Sequence, residues 1–369
     1  MSQQNLFNTT AFQTDGSPIR AKIMGIGGAG LSLVDGLRLD GFDAVRTVAL
    51  DVDVAALSDS IASEKVALGR RLTRGMGTGG EPSLGRKAAE EDRTLIRKHL
   101  DGVDLIFLLA GLGGGTGGGV APEVAKLARD AGALVFAFCP LPFSWEKQRH
   151  KLAEDALADL RKFANAVVPL PNDSLLQVGG PDASALECFA QAGRNVSCGI
   201  SSICSLVFRK GMIDVDFAHI RKAFNLRSGR TLFGIGEGQG EDALRQALRD
   251  LLLCPMLHLP DVSRAADVLL ITVTGSPGMS MAALQQVAAG IREEFKAGEH
   301  VVFGAHVDEN MGDRVEICVL GATDLEAGAP VADVAPDAAP VLTASPKAAK
   351  RGRGAHTSKL KRAAKRKPR

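Results

Sequence analysis

Nine residues constrain this chain more than any others. Gly111-Leu112-Gly113-Gly114-Gly115-Thr116-Gly117-Gly118-Gly119 holds seven glycines and one threonine. It follows the apolar run Leu105–Ala110 and precedes Val120–Ala131, whose pattern predicts a helix. Glycine weakens a helix or strand interior by roughly 0.5–1 kcal/mol relative to alanine, so this run does not suit the middle of either. It suits a place where main-chain N–H groups converge on an anion at the start of a helix. The expected local unit is strand, glycine loop, helix, and a phosphate chain is its natural guest.

The same unit occurs earlier. Ala21–Gly25 is a short apolar strand ending in Gly25-Ile26-Gly27-Gly28-Ala29-Gly30, and Leu31–Leu39 follows with Leu31, Val34 and Leu37 on one helical face. Val45–Leu50 is a strand closed by Asp51 and Asp53. Gly75–Gly80 is a glycine-rich loop, and Glu81-Pro82-Ser83 opens a helix through Arg86–His99. Leu105–Ala110, Leu134–Cys139 and Val167–Leu170 read as strands, with a helix over Lys151–Asn165. Strands alternating with helices imply a parallel sheet with helices on both faces. Ligands on such sheets bind at the carboxyl ends of the strands. Gly25–Gly30, Asp51–Asp53, Gly111–Gly119 and Pro171–Asp173 all lie at such ends and can share one crevice.

Further along, Ala183–Phe208 reads as a long apolar helix. Val268–Val273, Met281–Phe295, Val301–Val307 and Arg314–Leu320 give strand, helix, strand, strand, as in a smaller α+β domain. The expected organisation is an arm over 1–19, a ligand-binding domain over 20–182, a central helix and loop over 183–227, a second domain over 228–325, a disordered linker over 326–346 and a basic tail over 347–369. The formal charge is +2, yet the tail carries eleven Lys/Arg and no acid, which leaves −9 on the rest. The amino-terminal arm has no signal-peptide character, and no apolar run reaches the ~18–20 uncharged residues of a membrane span. Cys139, Cys188, Cys198, Cys204, Cys254 and Cys318 form no CxxC pair, so free thiols in a reducing cytoplasm are expected, with no metal site.

Gly25-x-Gly27-x-x-Gly30 after a strand fits the dinucleotide fingerprint, with Asp51 and Asp53 as ribose partners about 20 residues on. The competing reading is a tight strand–helix turn. A nicotinamide-dependent oxidoreductase would account for this first turn and leave the richer second loop unexplained.

Several ordered motifs together resemble the FtsZ/tubulin superfamily, and within it bacterial FtsZ, over about residues 20–325. They are Gly113–Gly119, Thr73-Arg74-Gly75-x-Gly77 followed by Pro82-x-x-Gly85-Arg86-Lys87-Ala88-Ala89-Glu90-Glu91, Pro142-Phe143-Ser144-Trp145-Glu146, and Pro171-Asn172-Asp173. The resemblance implies an α/β fold: a parallel-sheet GTP-binding domain, a long central helix and a smaller α+β carboxy-terminal domain. It implies GTP/GDP as ligand, with Mg²⁺ held mainly by phosphates and water. Gly27, Gly28, Ala29, Gly30 and Ser32 stand for the first phosphate loop, with Leu31 and Ser32 in place of the family's glycine and asparagine. Gly114, Gly115, Thr116 and Gly117 would cradle the β- and γ-phosphates, with the Thr116 hydroxyl donating. Gly118 replaces a second threonine.

By the same resemblance Glu146 would bond the ribose and Arg149 a phosphate. The alternative for Lys147, Arg149 and Lys151 is a solvated helix start. Asn172 would read the guanine edge and Phe189 would stack on the base, although Phe189 on an apolar helix also reads as core. Gly193 occupies the position of the family's second guanine reader. The family's catalytic loop, which enters the next subunit's site, matches Asp214-Val215-Asp216-Phe217-Ala218-His219. Asp214, Asp216 and His219 are therefore the catalytic candidates, with His219 in place of an aspartate and an ordinary interfacial role as its alternative. Implied partners are further copies of the chain, stacked head to tail into filaments. The tail reads either as a solubilising end or as attachment to a membrane adaptor, anionic lipid or nucleic acid. The implied role is cell division, in the cytoplasm at the division site, through GTP hydrolysis between subunits. A nucleotide-binding filament or regulatory protein with little turnover is the second reading.

Overall fold

The computed structural model describes residues 19–43, 45–174, 184–225, 230–258, 266–296 and 300–323. The expected arm, linker and basic tail lie outside these residues, apart from Ile19. The boundaries drawn at 182/183 and 227/228 lie outside them as well.

The chain begins with β1 (Ala21–Ile26), α1 (Gly27–Leu39), β2 (Arg46–Asp51), α2 (Val54–Asp59), β3 (Glu64–Ala67), α3 (Arg70–Thr73), α4 (Pro82–Glu91) and α5 (Arg93–Leu100). It continues through β4 (Leu105–Ala110), α6 (Gly115–Asp130), β5 (Leu134–Leu141), α7 (Lys147–Arg161) and β6 (Ala166–Pro171). The six strands form one parallel sheet in the order β3-β2-β1-β4-β5-β6. All six residues of β4 are buried. A central parallel strand covered on both faces needs such an unbroken apolar run. Its two faces serve two cores: Leu105, Phe107 and Leu109 in one, Ile106, Leu108 and Ala110 in the other.

Next come α8 (Ala185–Phe208), α9 (Phe217–Ala223), β7 (Arg230–Gln239), α10 (Ala243–Leu253), β8 (Val268–Gly275), α11 (Met281–Glu294), β9 (His300–Val307) and β10 (Arg314–Thr323). These four strands form a mixed sheet, β7-β10-β8-β9, with only the β8–β9 pair parallel. Helix α8 opens with a capping box between Ser184 and Glu187. Its Val196, Ile200, Ile203 and Cys204 belong to the same buried cluster as Phe136 and Phe138 of the first sheet and Phe233, Leu270 and Leu320 of the second. One helix thus supplies core to both sheets. Among the described residues, no helix is long and apolar enough to cross a membrane.

Three local readings change. The helices expected from Leu31 and Val120 begin at Gly27 and Gly115, so the glycines form first turns of helices rather than loops before them. Leu31 is 3% exposed and keeps an ordinary helical backbone, so its side chain packs into the core. The helix expected through Arg86–His99 is divided at Asp92, whose carboxylate accepts from the Gly69 N–H.

Candidate functional site

In the first sheet, β1 and β4 are neighbours and the chain winds outward from them in opposite directions. A crevice opens at the carboxyl ends of the strands where the winding reverses. Here it is a cavity of about 600 Å³. The end of β1 supplies Gly27, Gly28 and Ala29, and the end of β4 supplies Gly111–Gly117. Pro140 and Leu141 come from β5 with Pro142 directly after it, and Asn172 follows β6. Loop Thr78–Gly80 and α7 residues Gln148, Arg149 and Leu152 complete the wall.

Two helices start at this cavity. Neither α1 nor α6 has a side-chain cap or an acid in its first turn. Their leading N–H groups therefore lack intrahelical and capping partners, and each N-terminus carries about half a positive charge. A Cβ built on Gly28 or Gly114 meets nothing within 4 Å, so both main chains border open space. These groups fit a polyphosphate. The cavity is also of ordinary size for a small ligand, where roughly 300–1,000 Å³ is usual.

Side chains around the cavity are already engaged with one another. Arg149 is the one cation among the described lining residues. Its Nη1 lies 2.5 Å from Glu146 Oε2, and its Nε donates to the Gly113 carbonyl at 3.4 Å. Glu146 Oε1 accepts from the Phe143 N–H at 3.1 Å. Asp51 is 3% exposed and accepts from the N–H groups of Val52 and Asp53. Burial raises the Asp51 pKa, and these donors pull it back. Asp53 caps α2. Neither Asp51 nor Asp53 lines the cavity, so the ribose role drawn from the dinucleotide fingerprint has no geometry behind it. No carboxylate lines the cavity among the described residues, so Mg²⁺ there would rest on phosphate oxygens and water.

The remaining candidates divide by location. Gly30 is a packing residue, since an added Cβ would lie 2.2 Å from the Leu109 carbonyl oxygen. The Ser32 hydroxyl donates to the Gly28 carbonyl one turn back. Phe189 is 48% exposed and packs edge-on against Phe143, which stacks on Trp145, so the core reading of Phe189 does not hold. Gly193 faces open space. Asp214, Asp216 and His219 are not in the wall of this chain's cavity. Asp214 accepts from the Gly211 N–H at 2.5 Å, and Asp216 caps α9 through the Ala218 N–H at 3.0 Å. His219 is exposed on α9. The loop before α9 is tied to β9 by an antiparallel bridge between Ile213 and Ala305.

Gln148 and Leu152 are wall residues that the motifs did not single out, and Thr78, Gly79 and Gly80 belong to the glycine-rich loop 75–80 but were not assigned to the site. The available signal for that loop was the pair Gly79-Gly80 directly before Glu81-Pro82, and the structure holds both glycines at positive φ.

Comparison with known proteins agrees with this geometry. A family model described as the Tubulin/FtsZ family GTPase domain matches residues 20–180, and one described as the FtsZ family C-terminal domain matches 229–326. FtsZ from M. jannaschii, solved as an empty dimer, is 30% identical, with 83% of this chain and 88% of that one covered and a TM-score of 0.75. A point mutant of FtsZ from M. jannaschii is 31% identical over 83% and 91%, also with a TM-score of 0.75. CetZ2 from Haloferax volcanii, in a GTPγS-bound protofilament, shares the fold at 24% identity, 82% and 92% coverage and a TM-score of 0.66.

Proposed function

Since the chain belongs to the tubulin/FtsZ family, we propose that it binds GTP in the strand-end cavity, stacks head to tail, and hydrolyses GTP between subunits. The observation that carries this reading is the pair of uncapped helix starts, Gly27–Ala29 and Gly115–Gly117, bordering one cavity with Arg149. GTP supplies the phosphoanhydride bond; the chain supplies positioning and charge. Main-chain N–H groups of Gly28, Ala29 and Gly115–Gly117 bind phosphate oxygens, and Arg149 adds a charge-assisted donor. Asn172 offers an amide that both donates and accepts at the base, and Phe189 offers an aromatic face. Asp216, with Asp214 and His219, acts on the neighbour's site by orienting the attacking water and receiving its proton. In this reading the filaments serve bacterial cell division in the cytoplasm, with Mg²⁺ as GTP's counterion.

Trp145 is the only tryptophan of the chain, and it stacks on Phe143, one residue from the wall residue Pro142. Its fluorescence therefore reports binding directly. We expect GTP to change it saturably and ATP to do so far more weakly. We also expect GTP-dependent sedimentation, with turnover per chain rising steeply above a threshold protein concentration. A chain that neither changes Trp145 emission with GTP nor sediments sinks the proposal.

A second reading is a nucleotide-binding filament with little turnover. It is favoured by His219 standing where a carboxylate is expected, and by Asp214 and Asp216 being engaged in local main-chain hydrogen bonds. Phosphate release by the wild type beside His219→Asp separates the two: a large gain in the variant supports the second reading, and no gain supports the first.

A further inference from the structure

Alternation along β10 sends Cys318, Leu320 and Ala322 to the core shared with α8, and Val315, Ile317 and Val319 to the opposite core under α10 and α11. Glu316 shares the first parity and faces α8, where the Ser202 hydroxyl donates to its Oε1 at 2.8 Å. Its cross-strand partner on β7 is Glu237, so two carboxylates sit directly opposite each other on one face. Like charges in that position repel and destabilise a sheet. Cys198 of α8, 6% exposed, brings its Sγ to the same point, and one ligand atom from each of Cys198, Glu237 and Glu316 lies within 4.8 Å of the other two.

We propose that Cys198, Glu237 and Glu316 form a binding site for a borderline-soft divalent cation of the Zn²⁺ class, pinning α8 to the β7–β10 edge of the second sheet. A thiolate with two carboxylates is a Zn²⁺ donor set, and three protein ligands leave a fourth, tetrahedral position for water. Zn–S of about 2.3 Å and Zn–O of about 2.0 Å place ligand atoms about 3.3–3.5 Å apart, a contraction that glutamate rotamers can supply. Mg²⁺ and Ca²⁺ prefer six or more oxygens and do not suit a thiol. Glu237 is exposed and gives the ion a way in. Without an ion, burial and the facing carboxylates of Glu316 and Glu237 keep the Cys198 thiol protonated, and burial holds Glu316 up to about 7. A cation reverses both effects. As the Sγ–metal bond forms, the Cys198 proton leaves to water.

The test uses the full chain, stripped with chelator and titrated with Co²⁺ while the thiolate-to-cobalt charge-transfer absorption is followed. The expected result is saturation at one Co²⁺ per chain and displacement by Zn²⁺. The band should vanish in Cys198→Ser and persist in Cys318→Ser, the neighbouring thiol on the same face. Affinity should fall by about tenfold or more in Glu316→Gln and in Glu237→Gln. Glu237→Gln alters an exposed side chain and decides the matter if Cys198→Ser does not fold. Absence of the band in the wild type, its survival in Cys198→Ser, or unchanged affinity in Glu237→Gln overturns the proposal.

Discussion

Gly117 and Gly118 are neighbours in the first turn of α6, and alanine at these two positions should act with opposite sign. A Cβ on Gly117 would lie 2.1 Å from the Gly111 carbonyl oxygen, well inside the 3.0 Å that real Cβ atoms keep. The obstacle is main chain at the end of β4, so α6 itself must back away by nearly 1 Å, taking the cavity wall with it. Overpacking of this kind costs about 1–3 kcal/mol, and replacing a helical glycine returns up to about 1 kcal/mol. The net result is a loss of up to about 2 kcal/mol. At Gly118 the nearest atoms to an added Cβ are Ala156 Cβ at 3.5 Å and Pro82 Cγ at 3.7 Å, which is ordinary contact. Only the helix-propensity gain remains there, so Gly118→Ala should stabilise by up to about 1 kcal/mol. The propensity gain is common to both, so the two variants differ by the overpacking cost, about 1–3 kcal/mol, or roughly 2–5 °C in Tm for a unit of this size. Thermal unfolding without nucleotide measures that gap. Trp145 fluorescence adds GTP affinity, which should fall about tenfold or more in Gly117→Ala, through displaced N–H donors to a charged ligand, and stay near wild type in Gly118→Ala. Equal Tm and equal affinity for the two variants would refute the close-packing argument and the assignment of this turn to the ligand.

Arg149→Met keeps an unbranched stem and removes the guanidinium and its charge; GTP affinity should fall about 10- to 100-fold, and the salt dependence of binding should flatten, both read by Trp145 titration. Asp216→Asn retains a good N-cap, so Tm should move by less than about 0.5 kcal/mol equivalent while phosphate release falls sharply; loss of both together would reduce Asp216 to a cap. His306 is 1% exposed with neither ring nitrogen hydrogen-bonded, and burial, with Arg209 nearby and Asp214 opposing, lowers its pKa to about 4. The folded chain thus resists a proton that the unfolded chain accepts near 6.5. This contribution, at most about 3 kcal/mol, is fully present above pH 6.5 and is lost as pH falls through about 4. His306→Leu should flatten the stability profile across that window in denaturant titrations, and an unchanged slope would contradict the assignment.

The parallel sheet was legible because most of its strands are short apolar runs, two of them running into glycine, and Leu105–Ala110 needs both faces covered. The positions of the helix starts were less legible. A glycine run with Pro122 close behind reads as a loop before a helix beginning at Val120, yet α6 starts at Gly115 and carries Pro122 inside it. Propensity disfavours those glycines in a helix, but close approach requires three of them: Gly115 to the Thr78–Glu81 turn, Gly117 to the Gly111 carbonyl and Gly119 to the Pro82 carbonyl of α4. The same conflict hid β7. Gly234, Gly236 and Gly238 look like loop residues, yet they sit at alternate strand positions where α10 lies almost on the backbone, and a Cβ on Gly236 would be 2.1 Å from the Ala247 carbonyl oxygen. Strand β3 was missed for a simpler reason: its four residues, Glu64–Ala67, pair on one side only and carry two charges. The glycine half of the site was readable because phosphate cradles use main chain. Thr78, Gln148 and Leu152 were not, since only the folded loops bring them to the wall.

The division of labour within the chain bears on the proposed mechanism. The cavity wall offers helix starts, one cation and two amides, Gln148 and Asn172, and no carboxylate among the described residues. Such a wall can bind and polarise a polyphosphate, but it has no group to receive a proton from water. The acids that could do so, Asp214 and Asp216, belong to a loop that is hydrogen-bonded to β9 of the second sheet. On the proposed function, binding and water activation would therefore reside on separate surfaces of one molecule. If catalysis requires both, it requires two copies, one presenting its cavity and the other its loop. Contact between two different surfaces is heterologous, and repetition leads to an open filament unless the rotation closes a ring. Turnover would then scale with the number of contacts rather than the number of chains. Mixing Arg149→Met chains, which keep the loop, with Asp216→Asn chains, which keep the cavity, should restore part of the turnover that each lacks alone. Failure of the mixture to exceed the two parents would mean that cavity and loop serve the same subunit.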